Sequence, residues 1–228
     1  MKRNVDHPAY VLAYAAVASG VFTAAIMAVH VAARPRIELN ERAFDQRALV
    51  GLFADRLGLG DAGALDGAAL ADAYRRHIRR DLRITDAAGQ PIDVIRAVAR
   101  GADGNDKLLG YAIPVSGIGF WARIDGYLAV TPDWRQVVGI TFVRHSETPG
   151  LGGRLTEKAW RDAFVGLTIT PPTTGGTFIH VGPAGPAGRR VDAITGATGT
   201  SKAIERFLNA DLGRARRAAV AAGLIETP

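Results

Sequence analysis

A long apolar segment lies near the start of the chain. From Ala9 to Ala33 there is no Asp, Glu, Lys or Arg, and Ala, Val, Leu, Ile and Phe dominate. At a rise of about 1.5 Å per residue, a helix of this length spans a bilayer with some tilt. Tyr10 and Tyr14 stand where an interfacial aromatic belt would lie. The length favours an uncleaved transmembrane anchor over a signal peptide or a buried core helix, although the small residues Ala32 and Ala33 keep cleavage open.

Helical periodicity continues beyond this segment. Pro35 is expected to end the first helix, because proline lacks the N–H group that a helix interior needs. Residues Asn40–Leu57 then place apolar side chains on one stripe, which predicts an amphipathic helix. After a connection rich in Gly, Ala and Asp from Gly58 to Gly67, apolar residues at a spacing of four predict a second helix from about Ala68 to Leu82.

Beyond Arg83 the hydrophobic period changes from helical to alternating. Four segments have strand character: Ile92–Val98, Leu108–Val115, Phe120–Val130 and Val137–Val143. Turn-rich pieces such as residues 102–106 separate them, with no helix between. Successive short strands of this kind predict an α+β fold, in which helices flank an antiparallel sheet that follows the N-terminal transmembrane helix.

Composition narrows the possible functions. The 228 residues suffice for one domain plus an appendage. We predict that residues 1–33 form a lead and a membrane anchor. Residues 34–228 are predicted to form a domain that ends in a helical tail after Leu208. The absence of cysteine excludes disulfides and thiolate-held clusters, so redox chemistry requires a borrowed cofactor. The net charge is +6 and the pI about 10.0, but the basic residues are scattered among acidic ones, so no nucleic-acid partner is expected. The five histidines show no metal-ligand spacing, so no metal site is predicted.

Small and hydroxyl residues crowd into the segment from Asp192 to Ser201, just before a helical pattern. A helix that starts near Thr200 or Ser201 would direct unpaired backbone N–H groups at this loop and favour an anion there. The small residues that would let a phosphate approach the backbone are Gly196, Ala197 and Gly199. Thr198 adds a hydroxyl beside them. The residues alone favour the simpler interpretation, an N-capped surface helix after a turn, over a phosphate site.

A second distinctive loop runs from His145 to Gly153. Its Thr148-Pro149-Gly150-Leu151 sequence suits a type II turn, because Pro presets φ at the second position and Gly supplies a positive φ at the third. A simple connection between the Val137–Val143 strand and a helix at about residues 157–166 explains the Pro and Gly. It does not explain Glu147 or Leu151.

Both loops resemble signatures of one family. The run D-A-I-T-G-A-T over residues 192–198, followed by G-T-S, resembles the flavinylation motif of covalent FMN-binding domains, found in the C subunit of the sodium-translocating NADH:quinone reductase and in the G subunit of the Rnf complex. The run H-x-E-T-P-G-L-G over residues 145–152 resembles a second signature of that family. Residues 113–130 are more similar to the reductase subunit than to the Rnf subunit, although the reductase subunit tends to have a basic residue where Ile118 stands.

The resemblance implies a flavin site. The last threonine of the motif carries FMN through a phosphoester bond in that family, which implies covalent FMN on Thr198. It also implies that the other loop packs on the isoalloxazine, with a hydrogen bond from Thr148 and Leu151 over one ring face. The remaining implied cofactor-binding residues are Thr195, Gly196, Ala197, Thr200, Ser201, Glu147, Gly150 and Gly152. Of these, Thr195 is expected to shape the loop and Thr200 to cap the following helix.

The same resemblance implies a role. It describes a single-pass inner-membrane electron carrier with its flavin domain outside the cytoplasm, acting as one subunit of the reductase and without a catalytic acid or base of its own. Its implied partners are the other subunits, a magnesium-dependent flavin transferase during maturation, and the lipid bilayer through Ala9–Ala33. An Rnf G-type subunit and a stand-alone extracytosolic flavoprotein remain alternatives. So does a non-redox envelope module that binds an anion at Thr195–Ser201.

Overall fold

The computed structural model describes residues 8–101, 105–171 and 176–226. The polar lead before residue 8 and part of the turn predicted at residues 102–106 lie outside the described residues. The chain divides into two compact units, residues 1–43 and residues 44–228.

The N-terminal helix is longer than predicted. Helix α1 runs from Pro8 to Leu52 and contains Pro35 in its interior, so the prediction that this proline ends the helix is wrong. The φ angle of proline suits a helix, and the carbonyl of Val31 that loses its partner lies in an exposed stretch. By length and composition α1 could cross a membrane. Its apolar span is not buried in the protein, which does not agree with a core helix.

The predicted helix at residues 40–57 is split between two elements. Its first part continues α1, and its last turn is a separate short helix, α2, from Ala54 to Leu57. Gly58 ends α2 in the left-handed conformation, with φ of 66°. A 3₁₀ turn, Ala62–Ala64, then leads to the next helix.

Helix α3, Gly67–His77, starts where Asp66 accepts a hydrogen bond of 2.8 Å from the backbone N–H of Ala69. It ends five residues before the predicted limit, because Ile78–Thr85 forms the first strand, β1. The helical spacing of apolar residues continued into this segment and concealed the strand. Residues 78–85 are extended because they pair with the next strand. In this pairing Ile84 lies opposite Ile92, and both side chains are buried.

The five-stranded sheet within the described residues is an antiparallel meander in the order β1-β2-β3-β4-β5, which confirms the α+β prediction. The other strands are β2, Pro91–Arg100; β3, Asp106–Ile118; β4, Arg123–Val130; and β5, Val137–Arg144. All four predicted strands are present. Residues 120–122, however, form the turn between β3 and β4 rather than the start of a strand.

Each face of the sheet carries its own core. Alternation along the strands sends Val94 and Ile113 to one face, and Ile95 and Ala112 to the other. The first face packs on the last helix, α5, Thr198–Ala221. The second packs on the end of α1 and on α3, through residues that include Leu49, Val50, Phe53 and Leu70. The sheet is therefore covered on both faces, and α5 is fixed against β3.

The region after β5 contains short elements that lead to α5. They are a 3₁₀ turn at Gly152–Thr156, helix α4 at Lys158–Asp162, and a parallel pair of two-residue strands, β6 at His180–Val181 and β7 at Arg190–Val191. Helix α4 is shorter than predicted. The C-terminal segment predicted as a tail belongs to α5 and to the core, where Arg216 is buried and donates a 2.5 Å hydrogen bond to the carbonyl of Trp134.

A polar cluster on the second sheet face predicts alkaline sensitivity. The hydroxyl of Tyr127 donates a 2.7 Å hydrogen bond to Asp45, which also pairs with Arg80. Burial, followed by the hydrogen bond to Asp45, raises the pKa of Tyr127 to about 12. Between about pH 10 and about pH 12 the unfolded chain therefore loses this proton while the folded chain keeps it, so stability falls as pH rises.

We expect Tyr127→Phe to flatten this fall, since phenylalanine has no proton to lose. The measurement is the urea midpoint of the full-length protein in detergent across that pH range. Because burial also raises the pKa of Tyr111, some pH dependence should remain in the variant. An equal fall in wild type and variant would contradict the assignment.

Candidate functional site

A buried carboxylate joins three distant segments. Glu147 is 5% exposed, and its Oε1 accepts hydrogen bonds from the backbone N–H groups of Phe120, at 2.9 Å, and Trp121, at 3.2 Å. Its Oε2 accepts a 2.5 Å hydrogen bond from the hydroxyl of Thr200. The β3–β4 turn, the His145–Gly153 loop and the first turn of α5 therefore meet at one side chain.

Two glycines make room for this carboxylate. A Cβ at Gly119 would lie 2.5 Å from Oε1 of Glu147, and one at Gly152 would lie 2.6 Å from Oε2. Both distances are too short for real contacts, so neither position tolerates a side chain without movement. This gives a structural reason for Gly152, which the sequence had singled out. It adds Gly119, which the sequence analysis did not select.

The His145–Gly153 loop contains the predicted type II turn. Gly150 has φ of 74°, and the N–H of Leu151 donates a 3.2 Å hydrogen bond to the carbonyl of Thr148. The leucine side chain is 45% exposed and lies 3.1 Å from the place where a Cβ on Gly196 would be. The turn therefore brings Leu151 against the Asp192–Ser201 loop.

Helix α5 begins at Thr198, slightly earlier than the sequence predicted. The prediction that Thr200 caps this helix is wrong: the cap position is Ala197, and no side chain caps it. Thr200 does not cap the helix because its hydroxyl donates a hydrogen bond to the buried carboxylate of Glu147. Ser201 holds the loop instead, since its Oγ accepts from the N–H of Ile194 and donates to the carbonyl of Ala197, both at 3.0 Å.

The start of α5 has the character of an anion site. Its first backbone bond joins the N–H of Ser201 to the carbonyl of Ala197, so the N–H groups of residues 198–200 precede the helical ladder. The first turn contains no acidic residue. Thr195, Gly196 and Thr198 are exposed there. The positive end of the helix dipole favours a phosphate at this place, beside the hydroxyl of Thr198.

An apolar surface lies next to this anion site. Its side chains are well exposed: Ile118 at 61%, Phe120 at 63%, Trp121 at 67% and Leu151 at 45%. The rings of Phe120 and Trp121 meet edge to face at 5.2 Å, and a Cβ on Gly199 would lie 2.7 Å from the ring of Phe120. The sequence pattern did not identify these aromatics as site residues, because it predicts Phe120 at the start of a strand. The signal was available in Gly119-Phe120-Trp121, a turn sequence with two large rings.

These features fit FMN by their chemistry. An apolar face suits the isoalloxazine ring, and a helix start without acidic residues suits the phosphate. The basic residue expected where Ile118 stands is absent, but the guanidinium of Arg206 donates a 3.2 Å hydrogen bond to the carbonyl of Ile118. Within the described ranges no group of His, Asp and Glu side chains has the arrangement of a metal site.

Part of this domain is similar to a known family. Residues 119–212, which include all three segments at Glu147, match the family model described as the FMN-binding domain. Among curated relatives, the C subunit of the Na(+)-translocating NADH-quinone reductase of Pseudomonas aeruginosa is 36% identical over 114 residues, which is 47% of this chain and 43% of that protein. The same subunit of Neisseria meningitidis serogroup A is 34% identical over 110 residues, 47% of this chain and 42% of that protein.

Solved structures agree on the fold. The crystal structure of Shewanella oneidensis NqrC has a TM-score of 0.59 and 20% identity, and covers 80% of this chain and 96% of its own. The Na(+)-translocating NADH-quinone reductase C subunit from Parabacteroides distasonis has a TM-score of 0.59 and 20% identity, with coverage of 84% and 97%. The predicted resemblance to the C subunit of this reductase is confirmed. The matched part of the chain spans less than half the length of the curated relatives.

Proposed function

We propose that this protein is a membrane-anchored electron-transfer subunit of a sodium-translocating NADH-quinone reductase, with FMN held covalently on Thr198. The observation that carries the proposal is the position of Thr198. It is exposed at the uncapped start of α5, beside the apolar surface of Phe120, Trp121 and Leu151. A phosphate and an aromatic ring of one cofactor can be held there together.

Attachment is a phosphoryl transfer without oxidation. The Oγ1 of Thr198 loses its proton and forms a bond to the FMN phosphorus of FAD, while the phosphoanhydride bond breaks and AMP leaves. No hydrogen bond among the described residues joins the hydroxyl of Thr198 to a base, so a magnesium-dependent flavin transferase is the proposed catalyst of this step. Thr195, Gly196 and Ala197 shape the loop for that enzyme, and the N–H groups of the first turn of α5 hold the phosphate.

The ring side of the proposed site is formed by the two turns around Glu147. Leu151 and the aromatic residues 120 and 121 offer apolar contact, while Thr148 offers a hydroxyl. Gly150 gives the turn the positive φ that directs Leu151 toward the loop of Gly196. Bound flavin supplies the electron-transfer chemistry. The protein positions it and tunes its potential, which requires no acid or base at the site.

The anchor is proposed to place this domain on the extracytoplasmic side of the inner membrane, next to the other subunits of the complex. We expect the full-length chain to fractionate with membranes, because the Ala9–Ala33 span is apolar and unburied. Removal of residues 1–33 should release a soluble folded domain, since the core contacts of α1 start later, at Leu49 and Val50.

The control is a deletion through residue 52, which removes Leu49 and Val50 from the second sheet face and should not fold. The measurement is ultracentrifugation followed by circular dichroism of each soluble fraction. Intact full-length protein in the soluble fraction without detergent would count against the anchor.

The alternatives have separable outcomes. A non-redox module at Thr195–Ser201 would bind inorganic phosphate reversibly and stay colourless. A covalent flavoprotein keeps its fluorescence through denaturing electrophoresis after co-expression with a flavin transferase. An Rnf G-type subunit or a stand-alone flavoprotein would also fluoresce. Co-purification with reductase subunits from the native membrane distinguishes these two from the proposed assembly.

A further inference from the structure

The structure shows that the hydroxyl of Thr148 already accepts one hydrogen bond. The indole Nε1–H of Trp121 lies 3.1 Å from Oγ1 of Thr148. An indole nitrogen donates and never accepts, so the threonine oxygen is the acceptor in this contact. The hydroxyl proton of Thr148 is not used in this contact, and the side chain is exposed, so the proton is free to be donated to a ligand.

Backbone hydrogen bonds fix the positions of both Thr148 and Trp121. The carbonyl of Thr148 accepts from the N–H groups of Leu151, at 3.2 Å, and Gly153, at 2.9 Å, which fixes the backbone of the turn. The main-chain N–H of Trp121 donates to the buried Glu147, and its ring meets Phe120 edge to face. The indole therefore reaches Thr148 from a constrained position rather than from a free loop.

We infer that Trp121 is a positioning residue that makes Thr148 a hydrogen-bond donor toward the bound flavin. This rests on the proposed function, because it assigns the direction of one hydrogen bond at the same site. The ligand group is an acceptor of the isoalloxazine, either a ring nitrogen or a carbonyl oxygen. A hydrogen bond donated to such an atom stabilises the reduced ring, which carries more negative charge, and so raises the midpoint potential.

The test combines two substitutions on the full-length protein in detergent. Trp121→Phe keeps an aromatic ring but removes the N–H, and Thr148→Val keeps the shape of threonine but removes the hydroxyl. We expect each to lower the flavin midpoint potential while the flavin stays attached. The double variant should match Thr148→Val alone, because Trp121 acts through that hydroxyl. Thr148→Ser should restore the wild-type potential. Additive shifts in the double variant would overturn the inference, since Trp121 would then act on the flavin independently.

A second readout needs no flavin. In the same protein made without the transferase, the indole N–H resonance of Trp121, identified by its loss in Trp121→Phe, should move in Thr148→Val. An unmoved resonance means that the contact is absent and the inference fails, whatever the flavin content. Absence of covalent flavin from the wild-type chain, with the resonance moving as expected, overturns the proposed function and the flavin role of Trp121 but not the contact.

Discussion

Thr198→Ala should abolish covalent flavin and leave the fold intact. The side chain is exposed at the start of α5, and its hydroxyl makes no hydrogen bond among the described residues, so little stability depends on it. The expected change is complete loss of the FMN mass, because the substitution removes the hydroxyl that lies at the start of α5, beside the first-turn N–H groups. Intact-protein mass after co-expression with a flavin transferase measures the loss, and thermal unfolding checks the fold.

Neighbouring threonines supply matched controls for that experiment. Thr195→Ala changes another exposed hydroxyl of the same loop and should leave an adduct on Thr198, although transfer can be slower. Thr198→Ser keeps a hydroxyl at nearly the same place and should retain partial modification. Thr200→Ala is not a neutral control, because it removes the hydrogen bond to the buried Glu147. An adduct that persists in Thr198→Ala would reject the assignment.

Glu147→Ala should give the largest loss of stability at the site. It leaves the N–H groups of Phe120 and Trp121 and the buried hydroxyl of Thr200 without their acceptor. Since an unpaired buried group costs about 1–3 kcal/mol and neighbouring losses do not add fully, we expect a loss of about 2–4 kcal/mol in unfolding free energy. Flavin incorporation should also fall, because the three segments are no longer held together. Urea denaturation and the flavin-to-protein absorbance ratio measure the two effects.

Two further variants show whether the effect belongs to Glu147. Glu147→Gln keeps one oxygen for the backbone N–H groups, and its amide can donate to Thr200 if that hydroxyl turns, so its loss should be smaller. Glu157→Ala removes a glutamate that pairs with Arg154 at the surface and should change stability little. A Glu147→Ala protein with wild-type stability and flavin content would show that the carboxylate does not organise the site.

Much of the sheet could be predicted from short apolar segments bounded by turns. Strands β2 to β5 are segments of this kind, and β3 and β5 bury runs of consecutive residues because both faces of the sheet are covered. Strand β1 could not be predicted this way, since Ile78 and Leu82 also fit the spacing of the preceding helix. Its conformation depends on pairing with β2, the other strand of the hairpin, which the spacing within residues 78–85 does not reveal. Pro35 gave the opposite error. Its missing N–H predicted a helix end, but α1 continues through it to Leu52.

The residues of the site could be predicted from the sequence, but the contacts between them could not. The motifs singled out Thr148, Leu151 and Thr198, and the structure brings their loops together. No local pattern could show that Glu147 links them, because its partners lie in the β3–β4 turn and in α5. For the same reason Thr200 was assigned to helix capping. Its hydroxyl instead binds a carboxylate that only the folded chain brings within 2.5 Å.

Peptide mapping of the flavin adduct tests the central claim most directly. The full-length chain is co-expressed with a flavin transferase, purified in detergent, cleaved, and its fluorescent peptide fragmented in the mass spectrometer. The account predicts a single FMN phosphoester on Thr198, within the peptide that contains the Asp192–Ser201 loop. An adduct on Thr195, Thr200 or any residue outside this loop, or a flavin that leaves on denaturation, would contradict it.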